Sequence, residues 1–298
     1  MNSFNICIYK YAYIGFAYIK SYMAAIVLYN KKGMNELNTT ITSKGNSIIK
    51  EVKRLKEKKY RDLNKKFIVE GLRFVKEALE SDFDVEYLFV SEKSYDKFIL
   101  NDIGEDIKKN VEVIKVSESI LNQICSTETP QGIAAVVKYS KVLSKITKGF
   151  YMLVDKIQDP GNMGTIIRTA NAAGALGIII TKGTVDIYNN KTLRATMGSI
   201  FKLPVIFEDE KLSQIARLKE NGFKLIASTP NTNNNFYNVE LNEKIIIAVG
   251  NEGNGLSDEV INISDIKAKI PMPGDVESLN AGIAAAVMMF EYVRKHHV

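Results

Sequence analysis

Short apolar runs, each closed by a polar or glycine-containing break, alternate with stretches of helical spacing along most of this chain. Ile48, Ile49, Val52 and Leu55 lie at helical spacing, predicting one long helix over Lys44–Lys66 with a buried face. Phe67-Ile68-Val69-Glu70-Gly71 reads as a strand ending in Gly, and Leu72–Leu79 as a helix. Val85–Val90, Val111–Val116 and Gly132–Val137 read as strands, the last introduced by the turn signal Thr129-Pro130. Lys138–Gly149 is polar, carries four lysines and reads as a linker. From Phe150 the alternation resumes, with strands at Tyr151–Val154, Gly177–Thr181, Pro204–Phe207, Phe223–Ser228, Lys244–Val249 and Lys267–Ile270. Helices are expected at Met163–Ala173, Leu212–Asn221 and Leu279–Lys295, the last apolar along Ile283, Ala284, Val287, Met288 and Tyr292. The pattern predicts an α/β protein. Its divisions are an apolar N-terminal extension (1–36), a small α/β domain (37–145) and a larger domain (146–298).

Composition narrows the chemistry. The 298 residues carry a net charge of +6, which favours a polyanionic partner without naming one. The only cysteines, Cys7 and Cys125, are far apart, and the only histidines, His296 and His297, sit in the tail. A disulfide framework, a cysteine zinc site and a histidine base are thereby disfavoured; no metal is expected, and the location expected is the cytosol. Residues 5–29 are apolar, but Lys10 and Lys20 cut them into stretches shorter than the roughly 18 residues that span a bilayer. Three readings of this extension stay open: a segment without function ahead of Met34, a segment packing on the protein or a partner, and a membrane contact. No membrane partner is expected.

Three polar segments follow apolar runs, where α/β enzymes place ligands. The first is Asp159-Pro160-Gly161-Asn162-Met163-Gly164-Thr165-Ile166-Ile167-Arg168. Asn162 suits a helix cap, and Arg168 is either a surface cation or one placed near a phosphate or a reacting hydroxyl. The second, Gly250-Asn251-Glu252-Gly253-Asn254-Gly255-Leu256, closes the run Ile245–Val249. It lacks the lysine of a Walker loop and the glycine spacing of a dinucleotide site. Read alone it is a tight turn, or a place where a ligand approaches backbone. The third, Ile270-Pro271-Met272-Pro273-Gly274 through Ser278-Leu279-Asn280, is a shaped loop with Ser278 as the expected cap of the last helix and Asn280 inside it.

In this order, the three segments resemble the motifs of the SpoU/TrmH-type RNA ribose 2′-O-methyltransferases of the knotted SPOUT superfamily. The resemblance covers about residues 150–292. More loosely, Lys66–Gly71 and Ser126-Thr127-Glu128-Thr129-Pro130-Gln131-Gly132 resemble the small substrate-binding domain that precedes the catalytic one. It implies a mostly parallel sheet with helices on both faces, a deep trefoil knot, and S-adenosylmethionine as cofactor. Motif match would place Gly250, Asn251, Gly253 and Leu256 at the adenosine and Ile270 and Met272 at the adenine. Ser278, Leu279 and Asn280 would close the pocket. Arg168, Asn162, Glu252 and Asn280 would be the catalytic group, with Glu252 orienting Arg168 or Asn162. RNA contacts would come from Lys53, Arg54, Lys56 and Lys59, and from Lys191, Arg194 and the following Thr196-Met197-Gly198-Ser199. Ribosomal RNA is the substrate this implies, with a homodimer formed through the C-terminal domain. A transfer RNA enzyme, a non-catalytic RNA-binding protein of the same fold and an enzyme using another nucleotide are the alternatives.

Overall fold

The computed structural model describes residues 40–103, 106, 107, 110–139 and 147–297. The N-terminal extension and most of the expected linker lie outside the described residues.

The basic segment is two helices rather than one, α1 (Ser47–Arg54) and α2 (Lys58–Asn64). Asn46 caps α1 by accepting from the amides of Ile48 (2.9 Å) and Ile49 (3.3 Å). The chain then leaves the helix, and Arg61 Nη1 donates to the carbonyls of Leu55 (2.7 Å) and Lys56 (2.7 Å) that the break exposes. Arg61 is only 6% exposed, so this member of the charge run is internal. Ile49, Val52 and Leu55 bury as their spacing requires.

Strand β1 (Lys66–Glu70) leads to α3 (Leu72–Glu80), β2 (Val85–Ser91), β3 (Glu112–Val116), α4 (Glu118–Ile124) and β4 (Ile133–Lys138). The sheet order is β1-β4-β2-β3, with β4 antiparallel to both neighbours and β2 parallel to β3. The second half runs through β5 (Gly149–Asp155), α5 (Pro160–Ala172), β6 (Gly177–Ile180), α6 (Asn190–Thr196) and β7 (Val205–Phe207). It continues with α7 (Ser213–Glu220), β8 (Lys224–Ser228), β9 (Lys244–Gly250), α8 (Asp258–Ile263), β10 (Ile266–Ala268) and α9 (Ala281–His297). Its sheet, ordered β10-β8-β9-β5-β6-β7, is parallel throughout.

Alternate residues of the central strands feed two separate layers. Phe150, Met152, Val154, Ile245, Ile247 and Val249 pack with residues of α5 and α9. Tyr151, Leu153, Ile246 and Ala248 pack with residues of α7 and α8. Burial on both faces explains the unbroken apolar runs of β5 and β9. Helix α9 packs through Ala285, Met288, Met289 and Tyr292, while Ile283 and Phe290 stay 50% and 49% exposed. The predicted stripe was right at Met288 and Tyr292 and wrong at Ile283. Apolar residues run around most of it, so periodicity alone could not choose the packed face. No helix among the described residues is long and apolar enough to cross a membrane.

The two sheets share one continuous core. Tyr188 stacks on Phe67 (4.5 Å between ring centroids) and on Tyr139 (4.1 Å), and Phe201 packs against Phe74 and Phe83. Arg61 crosses the same seam to Asp186, donating through Nε (3.0 Å) and Nη2. Both side chains are nearly buried, and an unpaired charge there would cost about 3–5 kcal/mol.

Candidate active site

The site forms where β5 and β9 end side by side, with Asp155 and Gly250 as register partners. Strands β6 and β7 lie to one side of this pair and β8 and β10 to the other, so a crevice opens between the two strand ends. Asp155 is fully buried, and its carboxylate accepts from Thr181 Oγ1 (2.7 Å) and the Ser257 amide (2.7 Å). It ties β5 to the loop after β6 and to the residue before α8.

The first segment starts its helix earlier than predicted. Pro160 holds the first position, and Asp159 is the cap, accepting from the Asn162 amide (2.7 Å). Asn162 is therefore not the cap, and its side chain is left available. Its Nδ2 donates to Glu252 Oε1 (2.9 Å), and its Oδ1 accepts from Asn280 Nδ2 (2.8 Å). Asn280 in turn accepts from the amides of Gly282 (2.9 Å) and Ile283 (3.2 Å). It caps α9 instead of lying inside it, and Ser278 is exposed and outside the helix. Glu252, Asn162 and Asn280 thus form one hydrogen-bonded chain through all three segments.

Glu252 also accepts from the amides of Gln158 (3.1 Å) and Asp159 (3.2 Å). Partial burial alone would raise its carboxyl. The hydrogen bonds from Asn162, from its own amide and from Gln158 and Asp159 outweigh that and hold it below the usual carboxylate range. Of the two partners expected for Glu252, its carboxylate meets the side chain of Asn162. Among the described residues Arg168 has neither a hydrogen bond nor an ion pair, and it is exposed. It lies on the face of α5 that carries Gly164, packed on Ala195, and Asn171, which donates to Ser199 Oγ (3.3 Å). From Asn162 to Arg168 is about 9 Å of helix rise.

The second segment is a loop closed on itself. The amide of Asn251 donates to the Gly255 carbonyl (2.8 Å) and that of Gly255 to the Asn251 carbonyl (2.9 Å). Asn251 Oδ1 accepts from the amides of Gly253 (3.0 Å) and Asn254 (3.0 Å), and its Nδ2 donates to the Lys156 carbonyl (2.9 Å). Beside the loop is a cavity of about 440 Å³, lined by Lys156, Gln158, Gly183, Asn251, Asn254 and the Gly255–Ser257 stretch. Of the expected cofactor residues, Asn251 and Leu256 line it, and Gly250 ends β9 behind the loop. Gly253 lies in the loop without lining the cavity, as do Ile270, Met272, Ser278 and Leu279 in the third segment. A buried Leu256 beside exposed backbone at Asn254 and Gly255 suits an adenosine, which needs an apolar surface and a few polar groups.

The basic residues divide. Lys53 Nζ donates to Gln123 Oε1 (2.9 Å) and Lys56 Nζ to the Cys125 carbonyl (2.6 Å), tying α1 to the end of α4. Arg54 and Lys59 flank the Tyr60 ring. Lys191 and Arg194 are exposed on α6. Cys125 is buried, which pushes its thiol up to about 12, so it is no nucleophile at neutral pH. Among the described residues no cluster could hold a metal ion. Sequence reasoning missed Asp155 and Gln158. The signal for Asp155 was present, since a lone acid closing an apolar strand must find partners.

Residues 149–290 match the SpoU rRNA Methylase family, and residues 46–135 match the MRM3-like substrate binding domain. The 23S rRNA (guanosine(2553)-2′-O)-methyltransferase RlmP of Bacillus subtilis is 34% identical over 250 residues, covering 84% of this chain and 97% of its own. The chain belongs to the SpoU rRNA methylase family. Among solved structures, the AdoMet-bound rRNA methyltransferase of Sinorhizobium meliloti superposes with a TM-score of 0.76 at 29% identity. That match covers 87% of this chain and 99% of the other. The SpoU methyltransferase AviRb of Streptomyces viridochromogenes, in complex with AdoMet, gives 0.75 at 26% identity over 84% and 98%.

For a SpoU enzyme the Glu252 contacts make a pH prediction. Its lowered value means the carboxylate clamp is complete above the ordinary range, about 4.3, and is lost as pH falls through the lower folded value. Between roughly pH 6 and 8 it is fully ionised. Glu252→Gln turns one acceptor into a donor facing N–H groups and lowers turnover by about tenfold or more, uniformly over that range. A change in the shape of the pH–rate profile between roughly pH 6 and 8 would instead show that Glu252 titrates in that range and that these contacts do not hold it ionised.

Proposed function

We propose that this protein methylates a ribose 2′-hydroxyl of ribosomal RNA, using S-adenosylmethionine. The observation that carries the reading is the Glu252–Asn162–Asn280 chain, which gathers three distant segments beside the cavity at the end of a parallel sheet.

S-adenosylmethionine, when bound, supplies an electrophilic methyl group. Leu256 and the backbone of Asn251, Asn254 and Gly255 would hold its adenosine, and the stretch up to Asn280 would cover it. The remaining work is to align a weak nucleophile and stabilise the charge it develops. Asn162, fixed at both ends of its amide, presents a rigid polar edge toward the reacting sugar. Arg168 carries a guanidinium, which offers donors and no acceptor. It acts on the hydroxyl oxygen as a cation, stabilising the developing alkoxide and holding a neighbouring phosphate, rather than as a base.

The segment 37–145 serves as the RNA-binding domain, with Arg54, Lys59, Lys191 and Arg194 facing the strand. Two copies pair through the C-terminal domain, where Ile283 and Phe290 leave an apolar face of α9 open. The protein works in the cytoplasm.

The test is methyl transfer from tritiated S-adenosylmethionine to 23S, 16S and transfer RNA transcripts. Label in 23S RNA, recovered in alkali-resistant dinucleotides, is expected. Label confined to transfer RNA, or in alkali-labile products, would refute the substrate or the ribose target respectively. Sedimentation of the same preparation reads the dimer.

A further inference from the structure

A second cavity exceeds the one beside the Gly250–Leu256 loop in volume. A groove of about 710 Å³ runs between α3 and the 126–131 loop on one side and α6 on the other. Its size falls within the roughly 300–1,000 Å³ of ligand sites. Glu70 fixes its floor. The carboxylate accepts from the amides of Ser126 (2.7 Å) and Thr127 (3.2 Å), from Thr127 Oγ1 (3.0 Å) and from Asn190 Nδ2 (2.7 Å) on α6. With four donors it has no acceptor capacity to spare, so it joins the two halves of the protein rather than binding a cation.

The walls supply three kinds of contact. Met197 is 49% exposed and sits at φ 48, where the chain turns sharply before Gly198 (φ 83). A non-glycine residue rarely holds that conformation, and here it displays an apolar, polarisable side chain on a rigid bend. Phe74 is half-buried, its ring fixed 5.1 Å from Phe201. Gln131 accepts at Oε1 from the Leu72 amide (3.2 Å), which leaves its Nε2 as an oriented donor, and Glu128 is an exposed acceptor. Arg73 stands at the rim paired with Glu77 (Nε to Oε1, 3.3 Å), whose carboxylate also lines the groove, whereas the Arg194 side chain has no hydrogen bond or ion pair among the described residues. Two flat or polarisable apolar surfaces, an edge with a donor and an acceptor, and one unpaired cation at the mouth, Arg194, match a base, its Watson–Crick edge and its phosphate.

We propose that this groove holds a second, unpaired nucleotide of the substrate RNA, apart from the one that is methylated, and so contributes to the choice of RNA. The proposal rests on the RNA methyltransferase reading for its substrate. Helix α5 connects the two places. Asn162 lies at its start, and Arg168 follows on the face that packs against α6, where the groove begins. A strand laid from one to the other would pass Arg168.

The test uses the full chain, with Met197→Asp and Gln131→Glu, the second keeping the acceptor for the Leu72 amide while removing the donor. Aspartate tolerates the left-handed bend, so the first variant keeps the fold while placing a negative charge in the groove. Each variant is expected to raise the KM for the 23S transcript about tenfold. The kcat, thermal midpoint and S-adenosylmethionine affinity stay within about twofold of wild type. KM values within twofold of wild type for both variants, beside a wild-type enzyme that methylates, would overturn the groove and spare the activity. A direct reading comes from the same transcript carrying 4-thiouridine, crosslinked to the wild-type protein. Crosslinks to the peptides holding Phe74 or Met197 are expected; crosslinks to other peptides alone would overturn the proposal even if no methylation were detected.

Discussion

Replacing Arg168 with alanine lowers methyl transfer by about 10²–10³-fold, the scale seen when one group that stabilises transition-state charge is removed. S-adenosylmethionine binding and the thermal midpoint stay near wild type. Arg168 is exposed and has no hydrogen-bond or ion-pair partner among the described residues, so its loss leaves no buried charge behind and opens no cavity. Surface changes of that kind stay within about 0.5 kcal/mol of stability. Arg168→Lys separates the two parts of the proposed role. It keeps a point charge for the alkoxide but loses the planar fork that grips a phosphate. Partial recovery in the lysine variant supports a cation acting on oxygen. Near-normal turnover in the alanine variant, measured with tritiated cofactor in single-turnover conditions, would remove Arg168 from the chemistry.

Gly250→Ala leaves the chemistry untouched and weakens cofactor binding instead. A Cβ at position 250 would lie 2.1 Å from the Gly255 carbonyl carbon and 2.2 Å from both the Gly255 oxygen and the Leu256 nitrogen. These are backbone atoms, so no rotamer change relieves the clash, and the paired Asn251–Gly255 hydrogen bonds must open. The cavity wall formed by Asn254, Gly255 and Leu256 moves with them. The expected Kd for S-adenosylmethionine, by calorimetry, rises by more than about tenfold, and overpacking costs about 1–3 kcal/mol of stability. Gly253→Ala is the internal control. The nearest atom to its added Cβ is Asn251 Oδ1 at 3.6 Å, an ordinary contact, and it should bind cofactor almost normally. Equal losses in both variants would mean that the loop senses any side chain, and that the crossing at Gly250 is not special.

The glycine pair illustrates what the sequence disclosed and what it hid. A glycine-rich loop closing a buried strand was legible, because Ile245–Val249 is continuously apolar and the residues after it are not. Why each glycine is there was not legible. Gly250 makes room for the loop's own backbone, and of the three glycines in the loop only Gly255 needs a left-handed angle (φ 70). Strand positions were readable for the same reason: β5 and β9 are buried on both faces, so every residue in them is constrained. Helix starts were less so. Asp159 and Asn162, or Ser278 and Asn280, are equally good caps by residue type, and the choice is made by partners 90 and 118 residues away. The break between α1 and α2 was invisible because its cause, Arg61 turned inward to Leu55, Lys56 and Asp186, depends on a residue in the other half of the chain. The contacts that unite the Glu252–Asn162–Asn280 chain came within reach only through the order of the three segments.

The shared aromatic core, closed by Tyr188 and the Arg61–Asp186 pair, has a consequence for how an RNA is chosen. With the two sheets fused rather than hinged, the span between the methyl-transfer crevice and the groove against α6 is set when the polypeptide folds, like the jaws of a locked caliper. An RNA has to bring its own bend to that gauge, so discrimination falls on the shape a strand adopts as much as on the letters it carries.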